Sequence, residues 1–254
     1  MNDTLCAGRW HARKIWIYFG CLFLSLIFLS TAAAEERILV LHSYHPEYQW
    51  CQNINKGIRQ VITNDNVKID FMYMDTKRNT SRRWKLDMAR KAHHRIDAWN
   101  PHVVIACDEN AQIYVTQKYV NKKPYFIFCG VNADPLKYGF PARNITGIVE
   151  RPHVNQSIKL LRSIQPNVKR ISVFSDLSPT SIAAIDYIRE NNKSDMRISG
   201  FKLIDDFDLW KKRVLEADKT AEAIVIYTYP TLRDSKKMSV IEADKIIEST
   251  RDNP

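Results

Sequence analysis

The stretch Arg37-Ile-Leu-Val-Leu-His-Ser-Tyr-His-Pro46 decides the fold, because it joins a short apolar run directly to a polar turn. The run from Ile38 to Leu41 is entirely apolar, which is typical of a strand buried on both faces of a sheet. Strands of that kind form parallel sheets, whose neighbouring strands are joined by helices. The polar residues that follow Leu41 fall at the end of the predicted strand.

The remaining sequence alternates similar apolar runs with segments of helical spacing. The predicted strands are 37–42, 67–74, 102–107, 125–129, 145–149, 170–175, 197–204 and 223–227. The predicted helices are 53–63, 81–99, 110–120, 154–164, 179–191, 206–217 and 239–249. This alternation predicts right-handed βαβ units, with parallel sheets covered by helices on both faces.

The predicted strands fall into two groups, which gives the domain organisation. About five precede Arg151 and three follow it, with a break at Glu150–His153 that has the character of a hinge. The fold class is therefore α/β with parallel sheets in two lobes, residues 35–150 and residues 151–254; the family resemblance given below implies that these lobes are Rossmann-like.

Residues 1–34 are predicted to be a cleaved secretory signal peptide. Basic residues precede an uncharged apolar run from Ile15 to Ser30, and small residues end at Ala34. The apolar run is shorter than the roughly 20 residues of a membrane span, which favours cleavage over an anchor. We therefore expect an exported, periplasmic protein that begins at Glu35.

Composition narrows the function classes. The chain has 254 residues, 45% of them hydrophobic and 26% charged, so a wholly disordered protein is excluded. The net charge of +10 would suit nucleic acid, but an exported protein rarely meets it, so no nucleic-acid partner is expected. A basic cluster is expected on a solvated face, with a docking patch as the alternative: Lys77, Arg78, Arg82, Arg83, Lys85, Arg90, Lys91 and Arg95.

Polar and aromatic residues follow five of the predicted strands. In open parallel sheets ligands bind beyond the carboxyl ends of the strands, so these residues are the natural candidates for a site. Rings would cover the apolar part of a small ligand, and hydroxyls and helix N-terminal amides would hold its charged part. Helix capping is the competing explanation for Ser178 and Asp108.

Evidence for catalysis or for a cofactor is weak. No dinucleotide fingerprint or phosphate loop follows a strand, so neither an enzyme nor a cofactor is predicted. A hydrolase that uses Ser43 or a cysteine is a minor alternative. A metal site at His42, His45 and His153 is another, although a tight turn does not fix that geometry.

Three cysteines remain after the predicted signal peptide: Cys51, Cys107 and Cys129. An odd number leaves at least one thiol unpaired within the chain. Cys107 and Cys129 end strands that we expect to be neighbours, but a disulfide between them would be geometrically awkward. Their pairing stays open.

Several motifs together resemble a known family. The run Ile38–Trp50 is similar to the opening of periplasmic substrate-binding proteins of ABC transporters, in the branch shared with extracytoplasmic sensor modules of histidine kinases and diguanylate cyclases. Further similarities are Tyr73–Arg78, Phe128–Asn132 and Asn144–Glu150. The resemblance extends from about Arg37 to the end of the chain.

The resemblance implies the type I periplasmic-binding fold, closing over a small ligand without catalysis. By motif position, the implied ligand-binding residues are Ser43, Tyr44, Trp50, Asp108, Gly130 and Asn132 in the first lobe, and Ser178, Thr180 and Tyr227 in the second. The ligand classes that suit them are an amino acid, a purine or an organic acid. The closed form would be recognised by a membrane permease or a signalling partner.

The resemblance leaves the role and the extent of the chain open. A solute-binding component of an importer and a ligand-sensing domain of a signalling protein both agree with the motifs. Proteins of this family normally continue through further strands, whereas this sequence ends at Pro254. We therefore expect a C-terminally truncated chain whose second lobe is incomplete.

Overall fold

The computed structural model describes residues 35–234, 236 and 241–251. The predicted signal peptide, residues 1–34, lies outside the described residues. The elements described below all belong to one compact unit, Glu36–Pro254.

The chain alternates strands and helices as predicted. The strands are β1 (Glu36–His42), β2 (Val67–Tyr73), β3 (Val103–Cys107), β4 (Tyr125–Val131), β5 (Ile145–Val149), β6 (Arg170–Asp176), β7 (Arg197–Ile204) and β8 (Ala223–Thr228). The α-helices are α1 (Gln49–Val61), α2 (Arg82–Trp99), α3 (Asp108–Tyr114), α4 (Val154–Ile164), α5 (Pro179–Asn191), α6 (Phe207–Ala217) and α7 (Ala243–Arg251). Short 3₁₀ helices lie at Thr116–Tyr119 and Pro135–Tyr138.

The strands form two parallel sheets, which confirms the predicted fold class. The first sheet has five strands in the order β2-β1-β3-β4-β5, and the second has three in the order β7-β6-β8. All pairings between neighbouring strands are parallel. We call the parts built on these sheets the first lobe and the second, smaller lobe. Residues 150–153 connect them, where the sequence predicts a hinge.

Each sheet is buried because its strands are apolar and helices cover it. In the first lobe Leu39 and Leu41 of β1 pack with Ala92 and Ile96 of α2. In the second lobe one cluster of buried side chains includes Trp210 of α6 and Ile246 of α7. A separate cluster includes Ile158 of α4, with Ile185 and Ile188 of α5. The second sheet is therefore covered on both faces.

Two helices of the first lobe differ from their predicted bounds by more than one residue. Helix α1 begins at Gln49 rather than at Asn53, so Trp50 and Cys51 lie in its first turn. The predicted helix 110–120 is instead α3 followed by a 3₁₀ turn, with Val115 out of helical conformation between them. The Thr116 hydroxyl donates to the carbonyl of Ala111, a local bond that competes with the regular helical ladder.

Serine side chains cap the N-termini of two helices. The Ser81 hydroxyl accepts a hydrogen bond from the Trp84 amide at 3.2 Å, and the Ser178 hydroxyl accepts one from the Ser181 amide at the same distance. The final helix begins at Ala243 rather than at Ser239. Among the described residues, none of the helices has the length and apolar character needed to cross a membrane.

Candidate functional site

The two sheets direct particular strand ends towards a common cleft. In the first sheet β1 lies between β2 and β3, so the chain leaves the carboxyl ends of β1 and β3 in opposite directions. In the second sheet β6 lies in the same way between β7 and β8. Such reversals in strand order open a crevice where ligands bind in α/β proteins. The residues after β1, β3, β6 and β8 meet there.

A chain of hydrogen bonds joins the two lobes across this cleft. The Tyr44 hydroxyl, after β1, lies 3.0 Å from the hydroxyl oxygen of Thr180 at the start of α5. The Thr180 hydroxyl donates to Oε2 of Glu109 at 3.0 Å. The other carboxylate oxygen of Glu109 accepts the backbone amides of Asn132 and Ala133, at 2.6 and 3.0 Å. Thr180 thus connects the second lobe to the ends of three strands in the first.

Two further contacts join the lobes. The Tyr227 hydroxyl donates to Oδ1 of Asn132 at 3.4 Å. The guanidinium of Arg233 donates to the backbone carbonyl of Lys77, which follows β2. Both contacts lie at strand ends, so the lobes meet along the edge where the site was predicted.

The larger of the two cavities in the cleft has a volume of about 410 Å³. It lies between the turn after β2 and the start of α5, and both lobes contribute to its wall. Half of its polar side chains carry hydroxyls, and the others carry amide, amino, guanidinium or carboxylate groups. Its polar lining includes Tyr44, Thr76, Lys77, Thr80, Lys85, Asn110, Ser178, Thr180, Asp205, Asp206, Thr231 and Arg233.

The second cavity has a volume of about 260 Å³ and a different character. Four aromatic rings and two carboxyl groups surround it. Its lining is Tyr44, Tyr48, Trp50, Lys77, Asp108, Glu150, Thr180, Tyr227 and Thr228. Tyr44, Lys77 and Thr180 line both cavities, so the two are neighbouring parts of one cleft.

Asp108 is the most unusual residue of the second cavity. It is 2% exposed, and its oxygen Oδ2 has no hydrogen-bond partner among the described residues. Its backbone has a φ of 66°, in the left-handed region. Aspartate adopts that region more readily than most residues, but it still costs on the order of 1 kcal/mol. Strain of this kind clusters at functional sites.

Gly130 makes room for Asp108 and Trp50. It has a φ of 66°, and a Cβ placed there would lie 3.3 Å from Oδ1 of Asp108 and 3.3 Å from Cζ2 of Trp50. A larger residue at position 130 would be strained and would press on both side chains. The glycine thus leaves space for two residues that line the second cavity.

The acidic groups of the cleft are shifted towards their neutral forms. Burial raises the pKa of Asp108 well above its usual value, and the nearby Lys77 opposes that rise only in part. Burial also raises the pKa of Glu109, opposed by the two backbone amides and the Thr180 hydroxyl. The pKa of Glu150 is raised by burial as well. The cleft therefore concentrates carboxyl groups that lack enough positive partners.

Lys77 supplies one positive charge to this cluster. Its ammonium lies 4.2 Å from the ring centre of Tyr44 and 4.9 Å from that of Tyr48, in cation–π contacts. It is 7% exposed, so the prediction of a solvated basic face is wrong at this position. The turn after β2 carries it into the cleft. Arg78, Arg82, Arg83, Arg90, Lys91 and Arg95 are exposed as expected.

Asp176 organises the wall of the second lobe. Its Oδ1 accepts the Ser178 hydroxyl at 2.8 Å and the Ser181 hydroxyl, and its Oδ2 accepts the Thr231 amide at 3.0 Å. One buried carboxylate thereby ties the end of β6 to the start of α5 and to the turn after β8. Ser178 both caps α5 and lines the larger cavity, so its capping contact does not remove it from the predicted site.

The structure brings most of the predicted ligand-binding residues to this cleft. Six line its cavities: Tyr44, Trp50, Asp108, Ser178, Thr180 and Tyr227. Gly130 lies behind two of them, and Asn132 contacts Tyr227. Ser43 lies below the cleft, fully buried, where its hydroxyl donates to the Cys107 carbonyl at 2.6 Å and accepts the Ala111 amide. It lines neither cavity.

Sequence reasoning missed several residues that line the cleft, among them Thr76, Lys77, Glu150 and Arg233. These four follow strands β2, β5 and β8 within a few residues, so a consistent reading of every strand end would have found them. Glu109 also belongs to the site, since it receives the Thr180 hydroxyl. Its position beside Asp108 was the available signal.

Of the groups considered for metal binding, His42 is held by a hydrogen bond within the first lobe. Nε2 of His42 lies 2.7 Å from Oδ1 of Asn55, whose amide donates to the Tyr73 hydroxyl. Nowhere in the described ranges do three His, Cys, Asp or Glu side chains come together to hold a metal ion. Burial raises the pKa of Cys51 to about 12, so its thiol is protonated at neutral pH.

Cys107 and Cys129 are cross-strand neighbours, as predicted. They pair in register between β3 and β4, with their sulfur atoms 3.4 Å apart. Both are free thiols in this structure.

Comparisons of the sequence with known protein families and with curated proteins find no match. Solved structures do match. A protein from Streptococcus pneumoniae, described as an ABC domain in complex with L-Trp, superposes with a TM-score of 0.57 at 19% identity, over 76% of this chain and 65% of its own. An extracellular ligand-binding receptor from Verminephrobacter eiseniae gives a TM-score of 0.56 at 12% identity, over 86% and 61%.

A third match is a solute-binding protein of an ABC transporter from Rhodopseudomonas palustris, in complex with 3,4-dihydroxybenzoic acid. Its TM-score is 0.51 at 12% identity, over 76% of this chain and 54% of its own. The chain has the type I periplasmic-binding-protein fold. This confirms the resemblance at the level of the fold. The chain spans between about half and two thirds of the length of these type I structures.

Proposed function

We propose that this protein binds a small solute between its two lobes and does not transform it. The observation that carries the proposal is the cleft itself, in which Tyr44 and Glu109 of the first lobe meet Thr180 of the second through hydrogen bonds of 3.0 Å. Cavities lined by both lobes flank this contact. A solute held there would touch residues from both sheets.

The mechanism is closure about the connection at residues 150–153. A solute that contacts both lobes binds the closed form more tightly than the open form, and so shifts the population towards closure. Arg151 supports the connection, because its guanidinium donates to the carbonyls of Asn132 and Glu150, each at 2.8 Å. The closed form is then the signal that a partner recognises.

A thermal-shift screen of the purified chain tests the binding function. The screen covers amino acids, nucleosides and organic acids, including the ligand types named for the type I structures, L-Trp and dihydroxybenzoate. A solute at 100 times its dissociation constant stabilises the folded state by about 2.7 kcal/mol. A flat response across all three classes would contradict the proposal.

Substitution of Thr180 tests whether the solute sits in this cleft. Thr180→Val keeps the shape of the side chain but removes the hydroxyl that joins Tyr44 to Glu109. We expect the affinity for any solute found in the screen to fall about tenfold. Thr146→Val, on the exposed face of β5, is the matched control and should bind as the wild type does.

We further propose that the protein serves as the exported solute-binding component of an ABC importer, with a membrane permease as its partner. Some solved structures of this fold are described as solute-binding proteins of transporters and others as ligand-binding receptors, so a sensor domain is the second candidate. The neighbouring reading frames separate the two. Permease genes would support the importer, and a membrane span fused to a kinase or cyclase domain would support the sensor.

Export is proposed from the sequence of residues 1–34. The test is to express the full chain in a bacterium, recover the periplasmic fraction and determine the N-terminus of the protein. A mature chain that begins at Glu35 supports cleavage after Ala34. Retention of the intact chain in the cytoplasm would contradict it.

A further inference from the structure

The second cavity holds more acidic groups than basic ones. Two carboxyl groups, Asp108 and Glu150, face one ammonium group, that of Lys77. No ion pair within 4 Å joins Lys77 to either carboxyl group among the described residues, because its ammonium lies over the rings of Tyr44 and Tyr48. Within the described part of the chain, the carboxyl group of Glu150 accepts one hydrogen bond, from the Asn132 side-chain amide at 3.3 Å.

Asp108 is the more unusual of the two acidic residues in the second cavity. A buried carboxylate oxygen without a hydrogen bond is costly, and native proteins rarely keep one without a reason. Conversion to asparagine would remove the charge at the same size, and asparagine also adopts left-handed backbone readily. The chain nevertheless carries an acid at this position, at the wall of an open cavity.

The aromatic side chains of the cavity add a second attraction for positive charge. The faces of Tyr44 and Tyr48 are already occupied by Lys77, whereas the rings of Trp50 and Tyr227 also line the cavity. Trp50 is 36% exposed and packs beside Asp108 over Gly130. Flat rings next to a carboxylate suit a cation that carries a flat apolar body.

We infer that the second cavity takes a ligand with a protonated amine and a ring, the ammonium pairing with Asp108 and the ring packing against Trp50. This inference rests on the proposed solute-binding function and narrows its ligand class. Glu150 supplies the second negative charge from the connection between the lobes. A volume of about 260 Å³ holds one or two fused rings with a short amine chain.

The test compares ligands that differ only in their charged end. For a phenyl series the probes are 2-phenylethylamine, 2-phenylethanol and phenylacetate, and for an indole series they are tryptamine, tryptophol and indole-3-acetate. Affinities for the full chain are measured by titration calorimetry at pH 7. We expect the amine to bind about tenfold or more tightly than the alcohol and the acid in at least one series.

Variants then assign the preference to Asp108. In Asp108→Asn the advantage of the amine over the alcohol should disappear, whereas in Asp208→Asn, at an exposed position on α6, it should persist. Glu150→Gln should reduce the advantage of the amine over the alcohol by a smaller factor than Asp108→Asn does. If Asp108→Asn does not fold, Glu150→Gln serves as the test in its place. If the amine keeps its full advantage over the alcohol in Asp108→Asn and in Glu150→Gln, the inference is overturned.

The outcomes separate this inference from the proposed function. Binding of the alcohol or the acid as tightly as the amine, or no binding of either amine, overturns the amine preference. If the wider screen still finds a solute, the solute-binding function stands without it. If no solute of any class binds, both the solute-binding function and the amine preference are contradicted.

Discussion

Gly147 and Gly57 have opposite surroundings in the first lobe. A Cβ on Gly147 would overlap the carbonyl oxygen and the ring of Phe128 on the neighbouring strand, whereas one on Gly57 would meet nothing within 4 Å. We expect Gly147→Ala to lower the free energy of unfolding by about 3 kcal/mol through overpacking. Gly57→Ala should raise it by about 0.5–1 kcal/mol, since Gly57 lies inside α1. Urea denaturation measures both, and equal effects would contradict this account.

Asp108 makes the stability of the ligand-free protein depend on pH. Its pKa is raised in the folded state, so the folded protein holds the proton more tightly than the unfolded chain does. Its contribution is therefore fully present below about pH 3.9, the unfolded value, and is lost as the pH rises through the folded pKa. Glu109 and Glu150 act in the same direction.

Melting temperatures between pH 4 and pH 7 test this linkage. Asp108→Asn should flatten the decline in stability with rising pH, because the side chain no longer titrates. Asp208→Asn should keep the slope of the wild type. If melting temperature declined with pH more steeply in Asp108→Asn than in Asp208→Asn, the carboxyl group of Asp108 would not be desolvated in the folded protein.

Asn55 holds three elements of the first lobe together. Its carbonyl lies 2.7 Å from Nε2 of His42 on β1, and its amide donates to the Tyr73 hydroxyl on β2 at 2.8 Å. Burial lowers the pKa of His42, so the imidazole is neutral and Nε2 carries the donated proton. Asn55→Ala leaves both partners unpaired and should lower the free energy of unfolding by about 1–3 kcal/mol.

Asn53→Ala is the matched control in the same helix. Its side chain is exposed and, among the residues that the structure describes, accepts a hydrogen bond from Gln49 alone, at 2.9 Å. We expect a change within about 0.5 kcal/mol. If both variants lowered the free energy of unfolding by the same amount, the effect of Asn55→Ala would come from helix propensity. The hydrogen bonds to His42 and Tyr73 would then contribute little.

Helices and strands were largely predictable from the sequence, because each one carries its own pattern of buried side chains. All eight strands were found, and α4 and α5 have their predicted bounds. The interruption at Val115 was not predictable, because it depends on a hydroxyl–carbonyl bond between Thr116 and Ala111. The apolar spacing continues through it without a signal.

Arg233 couples the two lobes through the backbone of the turn after β2. Its guanidinium donates to the carbonyl of Lys77, and it is 7% exposed. Arg233→Met should free that turn, so that amides at residues 75–80 exchange hydrogen for deuterium faster. Arg213→Met, at a surface ion pair with Glu216, should leave their exchange unchanged. Unchanged exchange in both variants would show that the lobes are coupled elsewhere.

The sequence by itself determined the alternation of strands and helices, the division into five and three strands, and the polar strand ends, since each of these is recorded in local spacing. Only the tertiary structure decided which ends face each other. Tyr44 and Thr180 are 136 positions apart, and their contact depends on the strand order of both sheets. The same holds for Lys77, whose basic neighbours in sequence are exposed while it is buried over two rings. A charged side chain is buried by segments that are distant in the sequence. The local pattern around it therefore does not predict its burial.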